Sequence, residues 1–333
     1  MTMKYCVNGA NFSLPDTRPS WFTAQLDDVI RSYNRDARFL QMPSFQGADA
    51  IGVFSDYAGT HKQAKVQTYS FLFVDFGALG TFDERVKEIR AHANLPITRE
   101  IAFKELRSGS VVSALPHLLR AADQLPGLLF TLVVDKDVPS IIGSDPKTPK
   151  FIRAQLKALG FHSWQSDEEA ERLIRVLHSV CYWLCMLGRD GMKTLWMTDN
   201  DSILGRSDYP EEFPMAYAGA IGLFDPPDFS ILGTAKSFEV AAQQPYPHEA
   251  VSIADLVAGA LCAYFSDVEI GNFHKKRHPA IGEILTFLMH QSVFLKKLTF
   301  VARRMPNNTV DFGLASVDRT ACSIEGYSSV SFD

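Results

Sequence analysis

Three aspartates directly follow short apolar runs that are typical of β-strands. The runs end at Asp56, Asp135 and Asp199. Ligands gather beyond one edge of the central strands in helix-covered sheets, so these carboxylates would converge if their strands are neighbours. Converging carboxylates repel one another unless a cation lies among them, and hard oxygen ligands suit Mg²⁺ or Mn²⁺. Two such ions about 4 Å apart can activate a water and stabilise the leaving oxygen in phosphodiester cleavage.

A fourth aspartate, Asp255, lies in a predicted helix that is rich in small residues. Small residues on the side of the acid would let this helix lie close on a sheet, with Asp255 directed at the same edge. The alternative is structural, because Ser252 and Asp255 form a variant capping box, and the helix dipole favours an acid near a helix N-terminus. The strand-end aspartates have a structural alternative too, since Asp side chains often form turns.

The other motifs and residue clusters in the sequence exclude several functions and support few. The sequence contains no G-x-S-x-G, no G-x-x-x-x-G-K-[ST] and no H-E-x-x-H motif, which removes the simplest hydrolase, NTPase and zinc-protease interpretations. The five cysteines include no C-x-x-C pair, and neither disulfides nor a zinc knuckle are expected. Two histidines flank Lys275, Lys276 and Arg277, a basic stretch that is interpreted as a solvated loop or a phosphate-contacting patch, with zinc ligation as a lesser alternative.

The elements that must position these residues alternate between strand and helix patterns, which predicts an α/β chain. Strands are expected at 50–56, 68–76, 99–104, 128–135, 193–198 and 230–234, the first two as antiparallel neighbours and 128–135 as a central strand. Helices are expected at 21–40, 81–93, 110–125, 151–159, 167–187, 251–265 and 281–298, with capping boxes or caps at Thr81 and Ser166. Residues 207–227 are expected to be irregular, and 307–333 to form an edge strand and a tail.

Composition places the chain among ordinary globular proteins. It has 333 residues, 46% hydrophobic and 21% charged, with a formal net charge of -5. These values exclude disorder, collagen-like repeats and coiled coils, and bulk charge does not enforce nucleic-acid binding. No apolar run of transmembrane length and no signal-peptide pattern is recognised, so a cytoplasmic protein without a membrane partner is expected.

Several motifs, in order, resemble the bacterial domain of unknown function 3800, a family of the ribonuclease H-like superfamily. The family's D-E-S-G motif corresponds to Asp56-Tyr-Ala-Gly59, with tyrosine and alanine at the middle positions. Its E-x-K-x-x-x-L motif is similar to Glu100–Leu106, and its V-V-D-K motif to Val133–Lys136. A later strand ending in aspartate resembles Leu195–Asp199, and the helix Q-L-A-D-L-I-A-G-A resembles Ser252–Ala260.

The resemblance implies a ribonuclease H-like mixed sheet flanked by helices, and a nuclease that uses Mg²⁺ or Mn²⁺. It implies that Asp56 bridges two ions, that Asp135 and Asp255 each hold one, and that Glu100 or Glu105 orients the water. Asp199 or Asp201 would be a further metal ligand. The expected domains are a helical lead-in at 1–47, the nuclease domain at 48–268 with insertions at about 145–190 and 205–228, and a helical appendage with a tail at 269–333.

A rival function is a catalytically inactive ribonuclease H-like module that binds nucleic acid or a protein partner. Tyr57 in place of the family's glutamate favours this alternative, whereas the joint presence of Asp56, Asp135 and Asp255 favours the enzyme. Nucleic acid, DNA or RNA, is the expected partner, and a homodimer is conceivable because such sheets have exposed edges.

Overall fold

The computed structural model describes residues 4–7, 10–13, 20–35, 42–143, 145–199, 202–224, 228, 230–236, 245–268, 279–290, 292–305, 310–317 and 330–332. The strands are β1 (Lys4–Val7), β2 (Ala10–Ser13), β3 (Ala50–Ala58), β4 (Val66–Asp75), β5 (Gly127–Asp135), β6 (Lys193–Thr198), β7 (Ser230–Lys236), β8 (Leu295–Arg304), β9 (Val310–Val317) and β10 (Val330–Phe332). The helices are α1 (Trp21–Arg35), α2 (Leu79–His92), α3 (Gly109–Ala122), α4 (Thr148–Ala158), α5 (Asp167–Leu187), α6 (Glu212–Ile221), α7 (Pro245–Val268) and α8 (Pro279–Met289).

A mixed sheet of seven strands in the order β9-β8-β5-β4-β3-β6-β7 organises the chain, and the short β10 pairs with β9 at its edge. Strands β3, β5, β6, β7 and β8 run parallel to one another, while β4 and β9 run in the opposite direction. The carboxyl ends of the five parallel strands therefore meet at one edge of the sheet. The strands β1 and β2 form a separate antiparallel pair.

Helices cover both faces of this sheet, which explains why its central strands are apolar on both sides. Helices α2, α3, α7 and α8 pack on one face with Phe54 and Leu72, and α1, α4, α5 and α6 pack on the other with Val53 and Phe71. Strand β5 is buried along its length except at Asp135, its last residue. The predictions of an α/β chain, of an antiparallel β3–β4 pair and of a central strand at 128–135 are confirmed.

The helix cap predicted at Ser166 is also confirmed, and it takes the form of a capping box with Glu169. The Ser166 hydroxyl accepts a hydrogen bond from the Glu169 N–H at 3.1 Å, and the Glu169 carboxylate accepts one from the Ser166 N–H at 2.9 Å. The box predicted at Thr81 is wrong, because α2 begins at Leu79 and its N-cap is Ala78. Residues 207–227 are not wholly irregular either, since they contain α6, whose Glu212 accepts hydrogen bonds from the His162 and Ser163 amides.

The strand predicted at 99–104 is not formed. A short 3-10 helix lies there instead, at Phe103–Glu105. The buried Arg90 guanidinium donates hydrogen bonds to the carbonyls of Pro96 at 2.7 Å and Arg99 at 2.9 Å. The Arg90 side chain therefore supplies hydrogen bonds to backbone carbonyls that would otherwise need a neighbouring strand as their partner.

The helix predicted at 281–298 is wrong in its second half. Helix α8 ends at Met289, and β8 begins at Leu295 after a turn in which Ser292 accepts hydrogen bonds from the amides of Phe294 and Leu295. Because β8 pairs with β5 from Gly127↔Leu295 to Val134↔Ala302, the 269–333 segment supplies part of the main sheet rather than a separate appendage.

The expected lead-in and the expected 145–190 insertion are also parts of the same body. The Trp21 ring of α1 packs edge-on against Phe312 at 4.9 Å, and the Tyr182 hydroxyl of α5 donates to Asp27 at 2.6 Å. Helix α5 forms much of the layer that covers one face of the sheet. Within the described residues one helical stretch, Glu249–Ser266, is long and apolar enough to cross a membrane, and 83% of it is buried as a core helix.

A buried carboxylate pair at the carboxyl edge of the sheet

Asp56 lies near the carboxyl end of β3 and faces helix α7. Side chains alternate along a strand, so Phe54 and Asp56 share one face while Ser55 and Tyr57 share the other. Phe54 packs in the core beneath α7, whereas the Ser55 hydroxyl accepts a hydrogen bond from the Trp196 indole at 2.9 Å on the opposite face. The Asp56 carboxylate is only 8% exposed and accepts a hydrogen bond from the Tyr57 N–H at 2.6 Å.

Asp255 reaches the same place from helix α7. The helix begins at Pro245, so Asp255 lies in its interior, and the capping-box interpretation of Ser252 and Asp255 is wrong. The Thr68 hydroxyl of β4 donates to the Ala258 carbonyl at 2.8 Å, which shows how closely α7 lies on the sheet. The prediction that small residues allow this approach is confirmed.

The two carboxyl groups form a hydrogen-bonded pair. Burial raises the pKa of Asp56 well above its ordinary value, and the charges of Asp255 and Asp199 and the hydrogen bond to Asp255 raise it further. Burial also raises the pKa of Asp255, while hydrogen bonds from the Phe103 N–H and from Asp56 lower it. Two buried carboxyl groups in such contact cannot both ionise cheaply, so they titrate as a coupled pair.

A loop between α2 and α3 completes the wall around this pair. The Phe103 N–H donates to the Asp255 Oδ2 at 2.6 Å, and the Phe103 ring lies against Gly259 so closely that a Cβ there would overlap it. Arg90 of α2, which donates hydrogen bonds to two carbonyls of this loop, also forms a buried ion pair with Glu249 of α7. Gly259 is therefore needed for the close contact between the loop and the helix.

Lys104 brings a positive charge to the rim of the pair. Its side chain is 72% exposed and forms an ion pair with Glu100, with Nζ and Oε2 at 3.0 Å. The hydrogen bond and the charge of Glu100 raise the pKa of Lys104, with smaller contributions from Asp199 and Asp255. Glu105 instead pairs with Arg99 at 3.4 Å, on the exposed side of the loop.

Asp199 follows β6 at the same edge and is exposed. Its backbone N–H donates to the Ser55 carbonyl at 3.3 Å, so it continues the β3–β6 pairing. Its charge raises the pKa values of both Asp56 and Asp255, which places its carboxylate within electrostatic reach of the pair. The structure thus brings Asp56, Asp199 and Asp255 together, with Glu100 and Lys104 at the rim.

The structure does not bring Asp135 to this cluster. Asp56 pairs with Ser70 and Ser70 with Thr131, so Thr131 is the β5 residue level with Asp56. Asp135 lies roughly 13 Å further along at about 3.3 Å per residue, and β4 separates the two strands by about another 10 Å. The Asp135 carboxylate instead accepts a hydrogen bond from the Arg304 N–H at 3.3 Å. The predicted convergence of Asp135 with Asp56 and Asp255 is therefore wrong.

The remaining predicted site residues, Asp201 and the basic stretch Lys275, Lys276 and Arg277, lie outside the described residues. Tyr57, which replaces the family's glutamate, faces away from the pair. Its hydroxyl contacts the Ser55 hydroxyl at 2.8 Å and accepts a hydrogen bond from the Thr198 hydroxyl at 3.2 Å, within the core beneath α5. This substitution therefore leaves the Asp56 face of β3 unchanged.

No protein-family model matches this chain, and no curated protein matches its sequence. The resemblance to the domain of unknown function 3800 family thus depends on the motifs quoted above, and the functional argument depends on the geometry of the carboxylate pair.

The donor chemistry of this pair suits one hard divalent cation. In the part of the chain that the structure describes, no three His, Cys, Asp or Glu side chains are arranged to hold a metal ion. Mg²⁺, however, keeps several waters in proteins and is often bound by only one or two carboxylates together with substrate phosphates. Asp56 and Asp255 supply two such carboxylates.

The sequence patterns do not indicate two residues that build this cluster, Phe103 and Lys104. They predict a strand at 99–104 and therefore give no sign that the Phe103 N–H contacts Asp255. The signal that could have revealed Lys104 was its spacing of four residues from Glu100, which is typical of an ion pair on one side of a helical turn.

Proposed function

We propose that this protein is a divalent-metal-dependent phosphodiesterase that acts on nucleic acid, with Mg²⁺ or Mn²⁺ held by Asp56 and Asp255. The single observation that carries the proposal is the buried, hydrogen-bonded pair of carboxyl groups at the carboxyl edge of the sheet. Burying two acids in contact is unfavourable unless a cation or a proton compensates them. Packing alone does not account for two buried acids in contact, whereas binding of a cation does.

Each residue of the cluster has a defined role in the proposed reaction. Asp56 and Asp255 bind the cation, and the Phe103 N–H fixes the orientation of Asp255. Asp199 adds negative charge at the open side, and Lys104 offers an exposed cation to the phosphate oxygens of the substrate. A bound divalent ion supplies Lewis-acid stabilisation of the phosphoryl oxygens and an activated water.

The arrangement of strands supports the finer proposal of a ribonuclease H-like fold. In the order β5-β4-β3-β6-β7 only β4 is antiparallel, and Asp56 stands on the central strand of this group. Helices on both faces complete the mixed sheet that the motifs led us to expect. We propose on the same basis that the chain is a divergent relative of the domain of unknown function 3800 family, and that it works in the cytoplasm.

The structure favours a single protein-bound ion over the two-ion scheme expected from the motifs. Asp135 and Glu105 have other hydrogen-bond and ion-pair partners, Arg304 and Arg99. The same observation supports a second candidate, an inactive module of the same fold that binds nucleic acid or a protein. Cleavage distinguishes the two candidates.

The test is calorimetric titration of Mn²⁺ into the parent protein and the Asp56→Asn variant, together with Mn²⁺-dependent cleavage of labelled single-stranded and duplex DNA and RNA. Asp28→Asn, an exposed aspartate on α1, is the matched control. We expect binding and cleavage in the parent and the control, and neither in Asp56→Asn. Metal binding without cleavage of any substrate would support the inactive module, and absence of both in the parent would refute the metal site.

A further inference from the structure

A second group of charged residues lies at the same edge of the sheet as the carboxylate pair. It is formed by the β3–β4 hairpin and by the ends of β5 and β8. We call it the basic edge, and it consists of Lys62, Lys65, Lys136, Arg303 and Arg304. Among the described residues, the carboxylates of Asp135, Asp137 and Asp311 lie beside these five cations, so the described part of the basic edge has an excess of positive charge.

Hydrogen bonds hold the basic edge together as one surface. The Lys136 ammonium donates to the His61 carbonyl at 2.7 Å, and the Lys136 N–H donates to the Lys65 carbonyl at 2.9 Å, which joins the hairpin to the end of β5. The Arg304 guanidinium donates to the Asp137 carbonyl at 3.0 Å, which joins β8 to the same place. The side chains of Lys62, Lys65 and Arg304 are exposed.

Helix α7 connects this surface to the carboxylate pair. Beyond Asp255, the Ala258 carbonyl contacts Thr68, and the Ser266 hydroxyl accepts a hydrogen bond from the Lys65 N–H at 3.2 Å. The Arg303 guanidinium lies over the ring of Phe265, 5.5 Å from its centroid. Asp255 and Ser266 are eleven positions apart on the helix, a distance of about 16 Å at 1.5 Å per residue.

We infer that the basic edge binds the phosphate backbone of a nucleic-acid strand and leads it along α7 to the Asp56–Asp255 pair. The cations are spread over three elements, which suits a polyanion better than a single small anion. The inference rests on the proposed function, because the bound strand would be the substrate of the proposed phosphodiesterase. It also explains the position of Asp135, whose carboxylate braces Arg304.

The test measures binding apart from cleavage. Fluorescence anisotropy with labelled single-stranded DNA and RNA oligonucleotides, in EDTA and over a range of salt concentrations, compares the parent with Lys62→Glu/Lys65→Glu. The control is Arg120→Glu/Lys193→Glu, which has the same net charge but changes exposed residues at the opposite edge of the sheet. The milder Lys62→Ala/Lys65→Ala variant provides a second measurement should the charge reversal perturb folding.

We expect the charge reversal to weaken binding at low salt by about tenfold or more, and the alanine variant to reduce the salt slope by roughly 1.4 for two lost single-strand contacts. The control should keep the affinity and slope of the parent. Equal losses in both charge reversals, unchanged binding in both hairpin variants, or no binding by the parent would overturn the inference. Because EDTA removes metal chemistry, a failure of the nuclease proposal would appear instead as binding without Mn²⁺-dependent cleavage.

Discussion

Asp56 and Asp135 end two strands of the same sheet at the same edge, yet their surroundings differ. Asp56 lies under α7, with a second carboxyl group in hydrogen-bond contact. Asp135 is half-buried at the end of β5, beside the Arg304 amide and among basic side chains. The two strands have similar sequence patterns, so the difference comes from their positions relative to α7. Asp56 faces this helix and is a candidate metal ligand, whereas Asp135 accepts a hydrogen bond from the Arg304 N–H and has a structural role.

The largest expected effect is on catalysis. Asp56→Asn and Asp255→Asn should each reduce Mn²⁺-dependent cleavage by at least about 100-fold, because each removes a ligand from a two-carboxylate site. Asp135→Asn should change kcat by less than about threefold. Single-turnover assays with saturating oligonucleotide separate these effects from substrate binding. Equal losses in Asp56→Asn and Asp135→Asn would remove the distinction between the two strand ends.

A second prediction concerns the close approach of α7. Gly259→Ala should destabilise the protein by about 1–3 kcal/mol, because the new methyl group would overlap the Phe103 ring and the loop would have to move. Gly282→Ala on α8 is the matched control, since a Cβ there meets no atom within 4 Å. That substitution should leave stability equal or raise it by about 0.5–1 kcal/mol. Urea denaturation measures both, and equal effects would show that α7 lies further from the loop.

The third prediction concerns pH. The folded-state pKa of Asp56 is raised, so between the ordinary aspartate pKa and the raised value the folded protein holds a proton that the unfolded chain has lost. The free energy of unfolding therefore falls as pH rises through that window, by at most about 1.4 kcal/mol per pH unit for one proton. Denaturant titrations in EDTA should show this slope in the parent.

Variants at the two strand ends sharpen this prediction. In Asp56→Asn/Asp255→Asn the free energy of unfolding should no longer fall as pH rises. Above the window it should exceed that of the parent, because no buried acid then has to ionise. Asp135→Asn should keep the slope of the parent. A slope that survives in the double variant would assign the titration to other groups.

The strand ends also show how far the sequence predicts this structure. Apolar runs at β3, β5 and β6 were sufficient to place those strands, since burial on both faces leaves a clear pattern. The loop at 99–104 was not predictable in this way, because its conformation depends on Arg90 and Asp255, which are remote in sequence. Convergence of the aspartates depends on strand register, which separates Asp135 from Asp56 and which local pattern does not specify.

The smallest expected effect distinguishes Lys104 from another exposed lysine in a similar ion pair. Lys104 pairs with Glu100 at 3.0 Å and Lys87 pairs with Asp83 at 2.5 Å, each four residues apart. The Lys104–Glu100 pair is exposed, and such pairs contribute little to stability, so Lys104→Ala should not shift the unfolding midpoint appreciably. Only Lys104 lies beside the carboxylate pair, and we expect Lys104→Ala to lower kcat/KM about tenfold through lost contact with substrate phosphate. Lys104→Arg should recover part of the lost kcat/KM, because it keeps the positive charge. Equal activities of Lys104→Ala and Lys87→Ala would exclude Lys104 from the site.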